Sequence, residues 1–135
     1  MKNQALVYLV DDDASARNGM ARFLRISGHE VQSYESATGF VEHMVPAENS
    51  CLVLDACMPG KSATQLQAEF PDKFRNLPII IVSADDGPET RRKALELNAV
   101  SFFRKPVDGA ALLDAIEWAL DTVKKDDAAQ AREGQ

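Results

Sequence analysis

Cysteine, tryptophan and histidine are all scarce in this chain. Its 135 residues include two cysteines, one tryptophan and two histidines. Cys51 and Cys57 are too few for a disulfide framework, and we expect two reduced thiols in a cytoplasmic protein.

No apolar run approaches the roughly 20 residues of a membrane span. The opening stretch, MKNQALVYLVDDD, has too short an apolar core for a signal peptide. We therefore expect no membrane partner.

Positive charge is also in deficit. The chain has 15 Lys+Arg against 21 Asp+Glu, which gives a formal net charge of −6. Contacts to nucleic-acid phosphates need a basic face. The composition therefore argues against direct binding of DNA or RNA by this chain alone.

Short apolar runs alternate with longer amphipathic stretches along the chain. The runs predict strands over 6–10, 30–34, 51–55, 78–82 and 100–104. The stretches between them predict helices over 14–27, 36–44, 63–70, 88–97 and from 108 onward. This alternation is typical of a parallel sheet covered on both faces. We predict an α/β fold: a doubly wound five-stranded parallel sheet flanked by five helices, for which 2-1-3-4-5 is one of the common strand orders.

Acidic side chains gather where the first and third strands end. Asp11, Asp12 and Asp13 follow the run LVYLV, and Asp55 ends the run CLVLD. These two strands are neighbours in the order 2-1-3-4-5, and ligands of such sheets bind at the carboxyl edge. Unpaired carboxylates there would raise one another's pKa values. A hard divalent cation would relieve the repulsion, so the pattern predicts Mg²⁺. The alternative is that the acids cap the first helix, the role we expect for Asp13.

Asp55 differs from the other acids because it lies alone at the end of its strand, where that strand opens onto this edge. A carboxylate can attack phosphorus and form an aspartyl phosphate. Ser83 ends the fourth strand and could hydrogen-bond a phosphoryl oxygen, while Lys105 follows the fifth and could pair with another. Two rivals remain at this point. A phosphatase would need a second Asp where this chain has Cys57, and a flavin-binding module would need hydroxyls and amides where it has three carboxylates.

Four motifs together resemble the receiver domains of two-component response regulators. They are VDDD (10–13), LDACMP (54–59), IVSAD (81–85) and FRKP (103–106). The resemblance covers about residues 4–123. The sequences of the strands and helices are most similar to those of regulators of the FixJ type. The implied division is a receiver domain over 1–123, followed by a linker or helical tail over 124–135 that leads toward a possible missing output domain.

The resemblance implies a role for each site residue. Asp55 would be the phosphoacceptor, with Asp12 as a direct metal ligand and Asp11 as a water-mediated one. The backbone carbonyl of Cys57 would complete the protein ligands of Mg²⁺. The remaining roles are the switch hydroxyl, the switch aromatic and the phosphate-pairing lysine, at Ser83, Phe102 and Lys105. The resemblance also implies a cis peptide bond between Lys105 and Pro106.

The chain departs from the family pattern in two loops. Lys61 stands where an apolar residue is usual, which could make its loop more mobile or place a positive charge near the acids. Asn98 replaces a glycine before the fifth strand, a mild change because Asn tolerates a left-handed backbone.

The function implied is a signalling switch that accepts a phosphoryl group from a histidine kinase. Such a domain catalyses only its own phosphorylation and dephosphorylation, so we do not expect a turnover enzyme. Phosphorylation would favour a homodimer and control an output, most simply transcription, with DNA bound only through a missing output domain. The alternative output is that of a stand-alone regulator acting through protein–protein interaction.

Overall fold

The computed structural model describes residues 5–58 and 60–133. The strands are β1 (Leu6–Val10), β2 (Glu30–Tyr34), β3 (Ser50–Asp55), β4 (Ile79–Ser83) and β5 (Ser101–Arg104). The helices are α1 (Ala14–Ile26), α2 (Ala37–His43), α3 (Ala63–Glu69), α4 (Pro71–Phe74), α5 (Pro88–Glu96) and α6 (Gly109–Glu133). Every predicted strand is confirmed to within one residue at each end.

The prediction of five helices was wrong by one. Pro71 directly follows the helix predicted over 63–70, and in the structure it occupies the first turn of the four-residue helix α4. Proline suits that position because the first helical N–H needs no partner. A single turn is too short to show helical periodicity, so the sequence pattern does not reveal it.

The five strands form one parallel sheet in the order β2-β1-β3-β4-β5, as predicted. β2, which has the more polar pattern, lies at an edge. In the central pair Val10 lies opposite Leu54, and at the far edge Ser83 lies opposite Arg104. The carboxyl ends of these strands are therefore level with one another, which places the residues that follow them at a common edge.

Helices cover both faces of the sheet, and each face has its own apolar core. The core beneath α1 and α6 includes Leu24 and Ile116 from the helices and Val53 from β3. The opposite core is centred on Phe40 of α2, whose ring makes edge-on contacts with three other rings, those of Tyr8, Tyr34 and Phe74. Strands β1, β3 and β4 are buried along their whole length, as their apolar pattern predicts.

Local signals fix the ends of the helices. The side chain of Asp13 accepts hydrogen bonds from the backbone N–H groups of Ser15 and Ala16, which confirms its predicted role as a cap. Gly28 follows α1 with φ 100°, and Asn98 follows α5 with φ 57°, a conformation that glycine or Asn adopts most readily.

α6 continues without a break to Glu133. Among the described residues, no helix combines the length and apolarity needed to cross a membrane.

Candidate functional site

The carboxyl edge of the sheet brings the predicted site residues together. Asp11 follows β1 directly, Asp55 ends β3, Ser83 ends β4, and Lys105 follows β5. Asp11, Asp12 and Asp55 each offer a carboxylate oxygen, and these oxygens lie within 4.8 Å of one another. The sequence predicts these groups at one edge, and in the structure the three carboxylates lie close enough together to hold one metal ion.

The three carboxylates differ sharply in their exposure. Asp11 and Asp55 keep only 4% and 7% of their surface accessible, whereas Asp12 is exposed. Asp11 accepts a hydrogen bond from the N–H of Asp13 at 3.0 Å, and Asp55 accepts one from the N–H of Cys57 at 2.9 Å. Backbone N–H groups therefore hold the two buried carboxylates in fixed orientations, and solvent reaches the third.

Lys105 joins the two buried acids. Its Nζ lies 3.0 Å from Oδ2 of Asp11 and 3.2 Å from Oδ2 of Asp55. The peptide bond between Lys105 and Pro106 is cis, as predicted. The N–H of Lys105 also donates to the carbonyl of Ser83 at 2.8 Å, which extends the pairing of β4 and β5 by one residue. Lys105 is thus held at two points, through its backbone N–H by Ser83 and through its ammonium by the two buried carboxylates.

The pKa values of Asp55 and Lys105 reflect two opposing effects: burial disfavours the charged form of each group, and pairing between them favours it. Burial raises the pKa of Asp55, and this outweighs the lowering by the N–H of Cys57 and by the Lys105 ammonium. For Lys105, burial lowers the pKa, but the hydrogen bonds and charges of Asp11 and Asp55 prevail and raise it. Pairing therefore favours the charged form of Lys105, while burial disfavours the charged form of Asp55 and its neighbours partly offset that effect.

Ser83 and Phe102 lie on the β4–β5 side of this edge. The Ser83 hydroxyl is buried, lies 3.0 Å from Sγ of Cys57, and accepts the N–H of Asp85 at 3.0 Å. Phe102 is partly buried against the core, and the guanidinium of Arg91 lies 5.0 Å from its ring centre. Sequence reasoning missed the contacts of Cys57 and Arg91, because each joins segments that are distant in sequence and depends on how those segments pack.

Lys61 does not place its charge against the acids. Its Nζ lies 2.6 Å and 2.7 Å from the two carboxylate oxygens of Glu69 at the far end of α3. The charge is therefore matched by a neighbour on the surface. Arg17 is a cation near the edge that the sequence did not single out, and its Nη1 donates to the backbone carbonyl of Asp11 at 2.7 Å.

The donor set at this edge fits a hard divalent cation. All three side chains offer carboxylate oxygens, the ligands that Mg²⁺ prefers, and the exposed Asp12 leaves a path from solvent. The thiol of Cys57 does not compete for such an ion, because Mg²⁺ binds sulfur poorly. A carboxylate nucleophile, an adjacent ammonium and a cation site together are suited to the transfer of a phosphoryl group.

Known proteins are similar to this chain in sequence and in fold. The family model of the response regulator receiver domain matches residues 7–117. The transcriptional regulatory protein TdiR of Thauera aromatica is 34% identical over 118 residues, which cover 87% of this chain and 52% of TdiR. The transcriptional regulatory protein FixJ of Azorhizobium caulinodans is 32% identical over 114 residues, which cover 84% of this chain and 54% of FixJ.

A solved structure extends the likeness to three dimensions. The response regulator StyR matches with a TM-score of 0.82 and 38% identity, over 98% of this chain and 67% of the StyR chain. The chain spans about half the length of the curated relatives that it matches. The fold, the edge of carboxylates and the sequence relationship agree, and the chain belongs to the family of response regulator receiver domains.

Proposed function

We propose that this chain is a phosphorylation switch that takes a phosphoryl group from a histidine kinase onto Asp55. The observation that carries the proposal is the meeting of Asp55 with Asp11, Asp12 and Lys105 at one sheet edge. Asp55 is the candidate nucleophile because it alone of the three acids ends the central strand β3, where its carboxylate contacts the lysine. Asp11 and Asp12 follow the neighbouring strand β1, on the side suited to a cation.

The transfer uses groups that are already in position. A carboxylate oxygen of Asp55 attacks the phosphorus of a phosphohistidine, the P–N bond breaks, and its electron pair returns to the imidazole. Mg²⁺, held by Asp11, Asp12, Asp55 and the carbonyl of Cys57, would neutralise charge on the transferring group. Lys105 exchanges its contact with the Asp55 carboxylate for one with a phosphoryl oxygen. Ser83 donates its hydroxyl to another.

The acyl phosphate would be read out through Ser83 and Phe102. Drawing the Ser83 hydroxyl inward vacates space, and the Phe102 ring can then turn from its partly exposed position into the core. The face formed by α5, β5 and α6 would change shape and favour a symmetric homodimer. A full-length protein with a DNA-binding output would then control transcription from the cytoplasm, an output supported by the names of TdiR and FixJ.

The phosphoacceptor can be tested with a small phosphodonor. Incubation with acetyl phosphate and Mg²⁺ should add one phosphoryl group by intact-mass spectrometry, and chelation of Mg²⁺ should prevent it. Asp55→Asn should abolish the addition. Asp72→Asn is a matched control, since Asp72 is an exposed acid that pairs with Arg75 on the surface. Undiminished labelling of Asp55→Asn would refute the proposal, and steady turnover of p-nitrophenyl phosphate would favour a phosphatase instead.

A further inference from the structure

Arg91 is a cation placed on the ring of Phe102. Arg91 lies on the exposed side of α5, and its Cζ is 5.0 Å from the centre of the Phe102 ring. This distance is within the roughly 6 Å at which a cation is attracted to the face of an aromatic ring. Phe102 packs on the core below and is only partly buried. The guanidinium therefore favours a ring that stays near the surface.

The guanidinium of Arg91 is itself fixed by the loop that precedes α5. Its Nε donates to the backbone carbonyl of Asp86 at 3.1 Å. The neighbouring carboxylate of Asp85 accepts the N–H of Gly87 at 3.0 Å and the hydroxyl of Thr90 at 2.9 Å. Arg91 thus approaches the ring from a loop whose own shape is held by several hydrogen bonds.

The same loop is joined to the phosphorylation site. The N–H of Asp85 donates to the buried hydroxyl of Ser83 at 3.0 Å, and that hydroxyl lies beside the Cys57 sulfur next to Asp55. An unbroken series of contacts therefore runs from Ser83 through the loop to Arg91 and the ring of Phe102. If the Ser83 side chain rotates toward a phosphoryl oxygen, its own oxygen moves away from the N–H of Asp85, that N–H loses its acceptor, and the loop can move.

We propose that Arg91 is the positioning residue that holds Phe102 in its outer position until Asp55 is phosphorylated. This inference rests on the proposed function and adds the group that sets its resting state. Movement of the Ser83 hydroxyl frees the loop, Arg91 leaves the ring face, and the ring turns inward. A ligand or modification shifts such an equilibrium only by its different affinity for the two states, and Arg91 sets how far the resting balance favours the outer one.

The first test uses unphosphorylated protein. The ring of Phe102 is followed by aromatic NMR, with its signal assigned from the spectrum of Phe102→Leu. Arg91→Gln should raise the ratio of inner to outer ring about two- to fivefold, the value of one exposed cation–ring contact. Arg91→Lys, which keeps a cation, should restore most of the wild-type ratio. Arg92→Gln is the matched control, because Arg92 lies on the same helix and pairs with Glu89 and Glu96 instead.

A change in thermal stability without movement of the Phe102 signal would mean that Arg91 is only structural, and it would overturn the inference. So would equal signals from Arg91→Gln and Arg92→Gln. Because no phosphate is present, these results do not depend on whether Asp55 is the phosphoacceptor. Failure of acetyl phosphate to label Asp55 would instead refute the proposed function. The effect of Arg91 on the position of the Phe102 ring would still be valid.

The link to Ser83 needs a separate measurement, since adjacency alone does not establish coupling. Ser83→Ala and Arg91→Gln should be combined in a double-mutant cycle with the Phe102 ratio as the readout. Coupled residues should give a double variant whose ratio differs from the product of the two single effects. An additive result would show that Arg91 holds the ring independently of the phosphorylation site.

Discussion

Replacing Lys105 with methionine should destabilise the chain at neutral pH in the absence of divalent cations. Met is of similar length and fills similar space, but it leaves the carboxylates of Asp11 and Asp55 without the ammonium that lies 3.0 Å and 3.2 Å from them. Removing one partner of a fully buried ion pair costs about 3–5 kcal/mol. The Lys105 side chain is 28% exposed, and water screens part of the repulsion that remains. We therefore expect a loss of about 1–3 kcal/mol.

The loss should depend on pH, and its sign follows from Asp55. Burial already raises the pKa of Asp55, and removing the ammonium removes a lowering influence, so the pKa rises further. A carboxyl with a raised folded-state pKa favours folding below its unfolded pKa, and that contribution disappears as pH rises through the folded pKa. The deficit of Lys105→Met should therefore be largest at neutral pH and should shrink as the pH falls through the pKa of Asp55.

Urea unfolding with and without Mg²⁺ at pH 7 and at pH 5 measures both effects. Mg²⁺ should stabilise the variant more than the wild type, because no ammonium competes for the carboxylates; a tenfold excess over Kd gives roughly 1.4 kcal/mol by linkage. Lys61→Met is the control, since Lys61 forms an exposed pair with Glu69 and its loss should cost under about 1 kcal/mol. If Lys105→Met equals the wild type at pH 7 without Mg²⁺, the ammonium does not compensate the buried acids.

Two further predictions test the exposed acid and the thiols. Asp12→Ala should remove most of the stabilisation by Mg²⁺ yet change the unfolding free energy without Mg²⁺ by less than about 0.5 kcal/mol, because Asp12 is exposed; an unchanged Mg²⁺ dependence of Tm would exclude Asp12 as a ligand. In native protein iodoacetamide should label the exposed Cys57 well before the buried Cys51, whose pKa burial raises to about 12. Equal labelling rates at the two thiols would contradict the buried position of Cys51.

The sheet could be predicted from the sequence because its signals are strong and local. Runs such as LVYLV and IIIVS are apolar on both faces, and such runs are typical of central parallel strands. Once the strand order is known, the carboxyl ends place Asp11 and Asp55 at one edge. The short helix α4 had no such signal, since four residues cannot show a period of 3.6.

The side-chain contacts around the site could not be predicted in the same way. The pairing of Lys61 with Glu69 spans the length of α3, and the contact of Cys57 with Ser83 joins a loop to the end of β4 across 26 positions. The position of Arg91 over Phe102 depends on the hydrogen bonds of the 84–87 loop. Each contact follows from backbone geometry between elements, which the composition of a single segment does not encode.

Charge balance explains why the edge combines three acids with one lysine. With all three carboxylates ionised, Asp11, Asp12 and Asp55 face the single ammonium of Lys105, which leaves two negative charges unmatched. Two is the charge of one divalent cation. In our proposal the lysine stabilises the two buried acids when no metal is bound, and the exposed Asp12 would leave the edge negative enough to attract a divalent cation. The same ammonium lies next to the Asp55 carboxylate, so it is available to an added phosphoryl group without a large movement. We therefore propose that one residue serves both the resting and the phosphorylated states, and we expect an uncharged side chain of equal size at position 105 to impair both.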